Sequence, residues 1–364
     1  MKVIKEPVYY SDYLGLNKIL NAQETESSKL GIKAHDEMLF IIIHQIYELW
    51  FKQIIHDLDS VVCMFENDYV NEENMRVIVS RLQRITEIQK VMIQQFTVLE
   101  TMTPLDFLDF RDLLIPASGF QSFQFRIVEN KLGLKSDNRL KYNKAIYRSA
   151  LSEEHAEIVK KLEDSLSLFD LIERWLERTP FLEFKDFKFL ELYKSAVENM
   201  LNNDKDIIIN NPIFTEEEKQ NQLKELDNTR ENFSAIFDEE KHNDLIKKGL
   251  RRLSFKATQA ALFINLYRDN PILQLPFKLL TALADIDELF ATFRYRHSVM
   301  VHRMIGTKIG TGGSSGYNYL KATIESHKVF TDFFNLSTFL IPRSTLPELP
   351  EDVKKQLGFY KTYQ

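Results

Sequence analysis

The chain has 364 residues, 44% hydrophobic and 27% charged, with a formal net charge of −6 from 53 acidic and 47 basic side chains. That balance argues against a nucleic-acid groove as the main functional surface. The single cysteine, Cys63, excludes an intramolecular disulfide and a cysteine-based zinc site, and 27 phenylalanines against 11 glycines and 10 prolines favour an all-α fold over a sheet-rich one.

The N-terminal text MKVIKEPVYYSDYL lacks the apolar core of a signal peptide, and the longest apolar run, Met38 to Ile43, is far too short to span a bilayer. The expectation is a cytoplasmic enzyme or binding protein with no membrane segment. Within residues 1–25, Tyr9, Tyr10, Tyr13 and Leu14 put large apolar surface into a segment with little core of its own. Two readings stand open: the segment lies on its own chain, or it is an arm that packs on a neighbouring subunit.

From Asp36 to Phe65 the residues Phe40, Ile43, Tyr47, Trp50, Phe51, Ile54 and Leu58 recur at threes and fours, which predicts a long amphipathic helix. His44 shares that face with Phe40 and Tyr47, as a satisfied core histidine or as a functional one. Glu48, one turn on, is its partner or a surface charge. Residues 72–101 repeat the helical pattern, and Thr103-Pro104 opens another helix because proline suits a first turn. There Phe107 and Arg111 share a face beside Phe110, Leu113 and Leu114. An arginine in so apolar a setting needs an anion, which is either a protein carboxylate or a ligand carboxylate gripped by the guanidinium fork. Pro116-Ala117-Ser118-Gly119 breaks the helix.

From 137 to 250 the text is more polar but still helical, with one helix ending at Thr179-Pro180 and a charged stretch over 203–245 that reads as solvated helix faces. The segment at about 185–245 is expected to be a peripheral helical excursion from a single domain. Residues 251–292 return to core-like text, as two helices interrupted at Asn270-Pro271 and Leu275-Pro276. They lead into FRYRHSVMVHRMIGTKIGTGGSSG, a helix that carries His297, ends near Gly306 and runs into a loop with Gly310, Thr311, Gly312, Gly313, Ser314 and Ser315. The loop is neither a dinucleotide fingerprint nor a P-loop, since the preceding strand and the Gly-Lys-Ser/Thr ending are missing. Tyr317 to Lys328 is predicted helical, FTDFFNLSTFLIPR closes the core, and little fixed structure beyond a short helix is expected after Arg343.

Eight histidines are present, without an HExxH pair. His297 and His302 lie about 140° apart around a helix and cannot share one ion. A facial triad drawn from unlinked segments leaves no spacing signal, and a single axial histidine for haem iron needs none. Periodicity and spacing therefore stop at an all-α protein with His297, His44, Arg111 and the 310–316 loop as candidates, and with no reaction assigned.

The segments HDEMLFIIIHQIYELWFKQI, LETMTPLDFLDFRDLLIPASGFQSFQFR and RHSVMVHRMIGTKIGTGGSSGYNYL resemble the tryptophan 2,3-dioxygenase family, as do YSDYLGLNKILNAQ, RWLERTP and DFFNLSTFLIPR. The resemblance runs over nearly the whole chain and is weakest at 185–245 and after 344. It implies an all-helical homotetramer with one haem b per subunit, active in the ferrous form, that cleaves the indole C2–C3 bond of L-tryptophan with O₂. The product would be N-formyl-L-kynurenine, the first step of tryptophan degradation by the kynurenine pathway.

By resemblance, His297 is the axial ligand of the haem iron, and His44 faces the indole N–H as a positioning and polarising group. Phe40 and Phe107 line the pocket, Arg111 grips the substrate carboxylate, and Thr311 holds the ammonium together with a haem propionate. Ser118 lies near the haem edge, and Tyr10, Tyr13 and Leu14 reach into the neighbouring subunit's site. Phe293 departs from the tryptophan of many relatives, and two residues are missing around Ser326-His327. Trp175, Arg178 and Pro180 match part of a second, non-catalytic tryptophan site of some animal relatives, whereas Val70 stands where a basic residue is expected. Other classes remain to be separated: a haem sensor or carrier, a helical protein with no cofactor, and altered indole chemistry on a similar fold. The first two would not need Phe40, His44, Arg111 and Thr311 together.

Overall fold

Two long helices set the frame, because their apolar stripes face each other. The computed structural model describes residues 7–67, 70–135, 139, 151–180, 182–184, 187–308 and 316–358. Three short helices, α1 (Tyr10–Leu14), α2 (Leu16–Leu20) and α3 (Glu26–Lys29), precede α4 (Glu37–Phe65) and α5 (Glu72–Leu99). Ile43, Tyr47, Phe51, Ile54 and Leu58 make up much of the buried stripe of α4, and Met75, Val79, Leu82, Ile85 and Met92 that of α5. Cross-links from Tyr47 to Met92, Asp57 to Arg84 and Ser60 to Arg81 run in opposite sequence directions, so the pair is antiparallel. By length and composition α4 alone among the described helices could cross a membrane, yet its buried stripe belongs to this core.

The N-terminal entry is tied to α4 at one end only. The Glu37 carboxylate accepts the backbone N–H groups of Glu26 and Ser27 at 2.8 and 3.0 Å, and Gln45 donates to the Ala22 carbonyl. Further out, Tyr10 and Tyr13 are 76% and 78% exposed.

Helix α6 (Pro104–Arg111) starts where the sequence predicts, with a reciprocal capping box between Thr103 and Asp106. Two 3-10 turns, Asp112–Leu114 and Gly119–Gln121, lead into α7 (Phe123–Leu132), which packs on α4. Then follow α8 (Glu153–Glu163) and α9 (Leu168–Glu177), and a hairpin of β1 (Glu183–Phe184) and β2 (Phe187–Lys188), too short to show a strand pattern. The stretch expected to be peripheral holds α10 (Phe189–Asn210), α11 (Glu216–Phe237) and α12 (Glu239–Lys247). Phe189, Tyr193, Phe233 and Ile236 root it in the core, while Ile207 and Ile213 at its far end are exposed.

After α13 (Phe255–Leu266) and a 3-10 turn at Pro271–Leu273 comes α14 (Gln274–Ile305), the longest helix at 32 residues. Pro276 does not interrupt it, contrary to expectation: it falls in the first turn, where its missing N–H leaves no intrahelical bond unmade. Gly306 ends the helix with φ 61°, a left-handed conformation that glycine adopts without strain. Helix α14 packs most extensively on α5 and on α15 (Gly316–Ser326), which α16 (Thr331–Asn335) follows.

The tail holds the short helix expected after Arg343, and that helix is docked on the core. Helix α17 (Glu351–Leu357) buries Val353 and Leu357 completely, and the Tyr267 hydroxyl donates to the Pro347 carbonyl at 2.7 Å. Burying each such side chain contributes about 1.5–3 kcal/mol, enough to dock a helix too short to persist alone.

Candidate functional site

Helices α4, α5, α7, α14 and α15 line a cavity of about 120 Å³ that opens to solvent. Its wall is largely apolar, from Phe51, Phe96, Leu99, Phe120, Phe125, Phe293, Met300 and Leu320. Two of the predicted histidines meet there: His44 from α4 and His297 from α14 both line it.

His297 sits deep in the molecule, and the surface it retains lies on the cavity wall. Its ring stacks 6.1 Å from Phe96 at 23°, and Phe293, one turn earlier, lies 6.3 Å away. Burial, with a smaller contribution from His44, pushes its pKa from 6.5 down to about 4, so the imidazole is neutral at physiological pH. His297 makes no hydrogen bond to any described residue. A polar ring left unpaired in an apolar wall is costly unless a ligand uses it.

The surroundings of His44 are different. Its Nδ1 lies 2.7 Å from the Phe40 carbonyl, which can only accept, so Nδ1 carries the proton and Nε2 is left as an acceptor. Burial lowers its pKa, opposed by that hydrogen bond and by the nearby Glu48. The Phe40 ring is 4.1 Å from His44, and Phe107 and Phe110 of α6 pack on Phe40 at 5.7 and 5.6 Å.

Arg111 follows Phe107 by one turn, so both lie on one face of α6; neither they nor Phe40 are among the residues that line the cavity. Its side chain is 14% exposed and lies 3.1 Å from the carboxylate of Asp112, which is 80% exposed. The protein carboxylate considered from the sequence is thus the adjacent residue. Ser118 does not line the cavity; it caps the Gly119–Gln121 turn, and Gly119 and Phe120 are the lining residues. Tyr10, Tyr13 and Leu14 lie away from the cavity on exposed α1, and Thr311 falls outside the described residues.

Two polar assemblies on the wall were not foreseen. Glu48 is neither a direct partner of His44 nor a free surface charge: it accepts from the Ser122 hydroxyl at 2.6 Å and from Gln124 at 2.9 Å, fixing the start of α7 against α4. Deeper, Glu129 takes Arg294 and Arg126, each at 2.8 Å, with Arg139 and His327 beside it. Burial alone would raise the Glu129 pKa, but Arg139, Arg126, His327 and Arg294 outweigh it and hold the carboxyl well below its usual range. The local sequence signal was Arg126 and Glu129 three apart in the apolar text FQFRIVEN; Arg139 follows ten residues on, and Arg294 and His327 are remote in sequence.

Among the described residues no group of three or more His, Cys, Asp or Glu side chains is placed to hold a metal ion. A metal held by His297 would thus find no such cluster among the described residues to complete its coordination. A planar, largely apolar macrocycle with one open axial position fits both the aromatic wall and the unpaired neutral imidazole.

Comparison with known proteins covers nearly the whole chain. The family model described as tryptophan 2,3-dioxygenase matches residues 2–340. The tryptophan 2,3-dioxygenase of Alteromonas mediterranea is 49% identical over 360 residues, covering 99% of both chains. That of Bdellovibrio bacteriovorus is 52% identical over 97% of this chain and 99% of its own. That of Dictyostelium discoideum is 50% identical over 97% of this chain and 88% of its own.

Proposed function

We propose, on the footing that the chain belongs to the tryptophan 2,3-dioxygenase family, that it opens the indole C2–C3 bond of L-tryptophan with O₂ to give N-formyl-L-kynurenine. The reaction balances without a further oxidant or reductant, since the C2–C3 bond breaks and each carbon receives one oxygen atom. The observation that carries the site reading is His297, a neutral, unpaired imidazole on an aromatic cavity wall shared with His44. Haem b, one per subunit and held by His297, supplies the ferrous iron chemistry by which O₂ reacts.

The chain's own side chains position the amino acid. His44 offers Nε2 to the indole N–H, because Nδ1 is engaged by the Phe40 carbonyl. Phe40 and Phe107 flank the indole, excluding water from the reacting bond. Arg111 grips the substrate carboxylate with its planar fork, and Thr311 holds the ammonium. Ser118 would act on the haem edge only indirectly, by capping the turn whose Gly119 and Phe120 line the cavity. This orientation converts encounter into a near-attack arrangement.

The apolar surface of Tyr10, Tyr13 and Leu14 supports an arm that completes a neighbour's pocket within a homotetramer. One helical domain with an excursion at about 185–245 and the arm at 1–25 is the organisation we assign. Usage of a single cysteine is in keeping with a cytoplasmic enzyme.

Turnover under ¹⁸O₂ with mass analysis of the product tests the reaction. Both label atoms should appear in N-formylkynurenine. A singly labelled or hydroxylated indole would assign different chemistry.

A further inference from the structure

We propose that the chain tunes its bound iron by withholding a hydrogen-bond acceptor from His297, and that Phe293 and Phe96 are the residues that withhold it. The inference rests on the haem reading above. Histidines that ligate metals almost always donate their second ring N–H to a carboxylate, a carbonyl or water, which strengthens them as donors.

His297 has no such acceptor among the described residues. Phe96 and Phe293 lie against it at 6.1 and 6.3 Å, and Tyr47, Phe51 and Phe125 pack behind Phe293 at 5.7, 6.5 and 6.2 Å. The one hydroxyl in that layer, on Tyr47, donates to the Met92 carbonyl at 3.1 Å and makes no hydrogen bond to His297. Glu100, on the adjoining helix end, pairs with Arg296, and Glu129 is held by its arginines. Even the local solution used by His44, a bond to the carbonyl one turn back, is not made by His297.

Whichever ring nitrogen meets the iron, the other has no hydrogen-bond acceptor among the described residues. The imidazole would then be a weak donor, a weakening that costs ferric iron more than ferrous iron, so the reduced state in which the enzyme works is favoured.

The test is the iron–histidine stretch of the ferrous, substrate-free protein by resonance Raman, with midpoint potentials of the wild type, Phe293→Gln and Phe293→Leu. The wild type should show a low stretch. Phe293→Gln, which offers a carbonyl acceptor one turn from His297, should raise the stretch and lower the potential by about 59 mV or more, tenfold toward ferric. Phe293→Leu should change neither. A wild-type stretch as high as that of a carboxylate-paired histidine overturns the proposal, as does an equal shift in the Gln and Leu variants. Should the Gln variant fail to fold, the wild-type stretch and the Leu variant decide alone. A haem-supplemented protein without haem, or a His297→Ala variant with an unchanged stretch, would instead sink the haem reading itself.

Discussion

Two histidines face one cavity from two helices, and they are prepared for different tasks. On α4, His44 is fixed in one tautomer by the Phe40 carbonyl and stands between an aromatic cluster and the Glu48 carboxylate. On α14, His297 is wedged against Phe96 and Phe293, is neutral, and bonds to no described residue. A histidine with one nitrogen committed is a fixed hydrogen-bonding group. One with neither nitrogen committed, in a wall that cannot solvate it, is a ligand in waiting. The difference lies in what surrounds each ring, not in the residue type.

The sharpest way to break this contrast is His297→Ala. It should abolish stoichiometric haem binding, and added imidazole should restore a five-coordinate ferrous spectrum. Full haem content without imidazole would remove His297 from its assigned role.

Next in size is Arg111→Ala. With a charge-assisted hydrogen bond contributing about 1.5–3 kcal/mol, the apparent Kd for tryptophan should rise roughly 10- to 100-fold while haem content stays unchanged. An unchanged Kd would return Arg111 to a structural pairing with Asp112.

His44→Ala should keep its haem and lose roughly 3- to 10-fold in kcat/KM, the loss of one neutral hydrogen bond. A cycle with 1-methyltryptophan sharpens the assignment, because removing the indole N–H should cost the wild type but not His44→Ala. Additive losses would show that the two groups do not meet. Complete loss of turnover with haem and substrate binding intact would make His44 an obligatory base instead.

The smallest effect is on the stability of the haem-free protein. Because the folded pKa of His297 lies at about 4, below the ordinary 6.5, the unfolded chain binds the proton more readily. That contribution is therefore full above about pH 6.5 and is lost as pH falls toward about 4. The Tm of the apo protein should decline over this window, and His297→Gln should flatten the decline. An equal slope in both proteins would mean that other groups carry it.

Much of this frame was legible in the sequence for local reasons. The stripes of α4 and α5 followed helical periodicity, Thr103-Pro104 announced the start of α6, and Gly306 marked the end of α14. Pro276 misled because proline reads as a break unless the helix start is known. The burial of α17 depends on a surface assembled by residues far away in the chain. His44 and His297 stood out as candidates, but their difference did not, since it is set by Phe40 in one case and by Phe96, about 200 residues distant, in the other. Glu129 was invisible for the same reason: Arg294 comes to it from another helix, 165 residues on. The role of Thr311 rests on the family text alone.

The most direct test of the account is an anaerobic absorbance spectrum of the haem-loaded, reduced protein before and after L-tryptophan, followed by admission of air. The account predicts a five-coordinate ferrous spectrum, a perturbation by tryptophan, and then growing N-formylkynurenine absorbance. Haem uptake with no response to tryptophan and no product would contradict it.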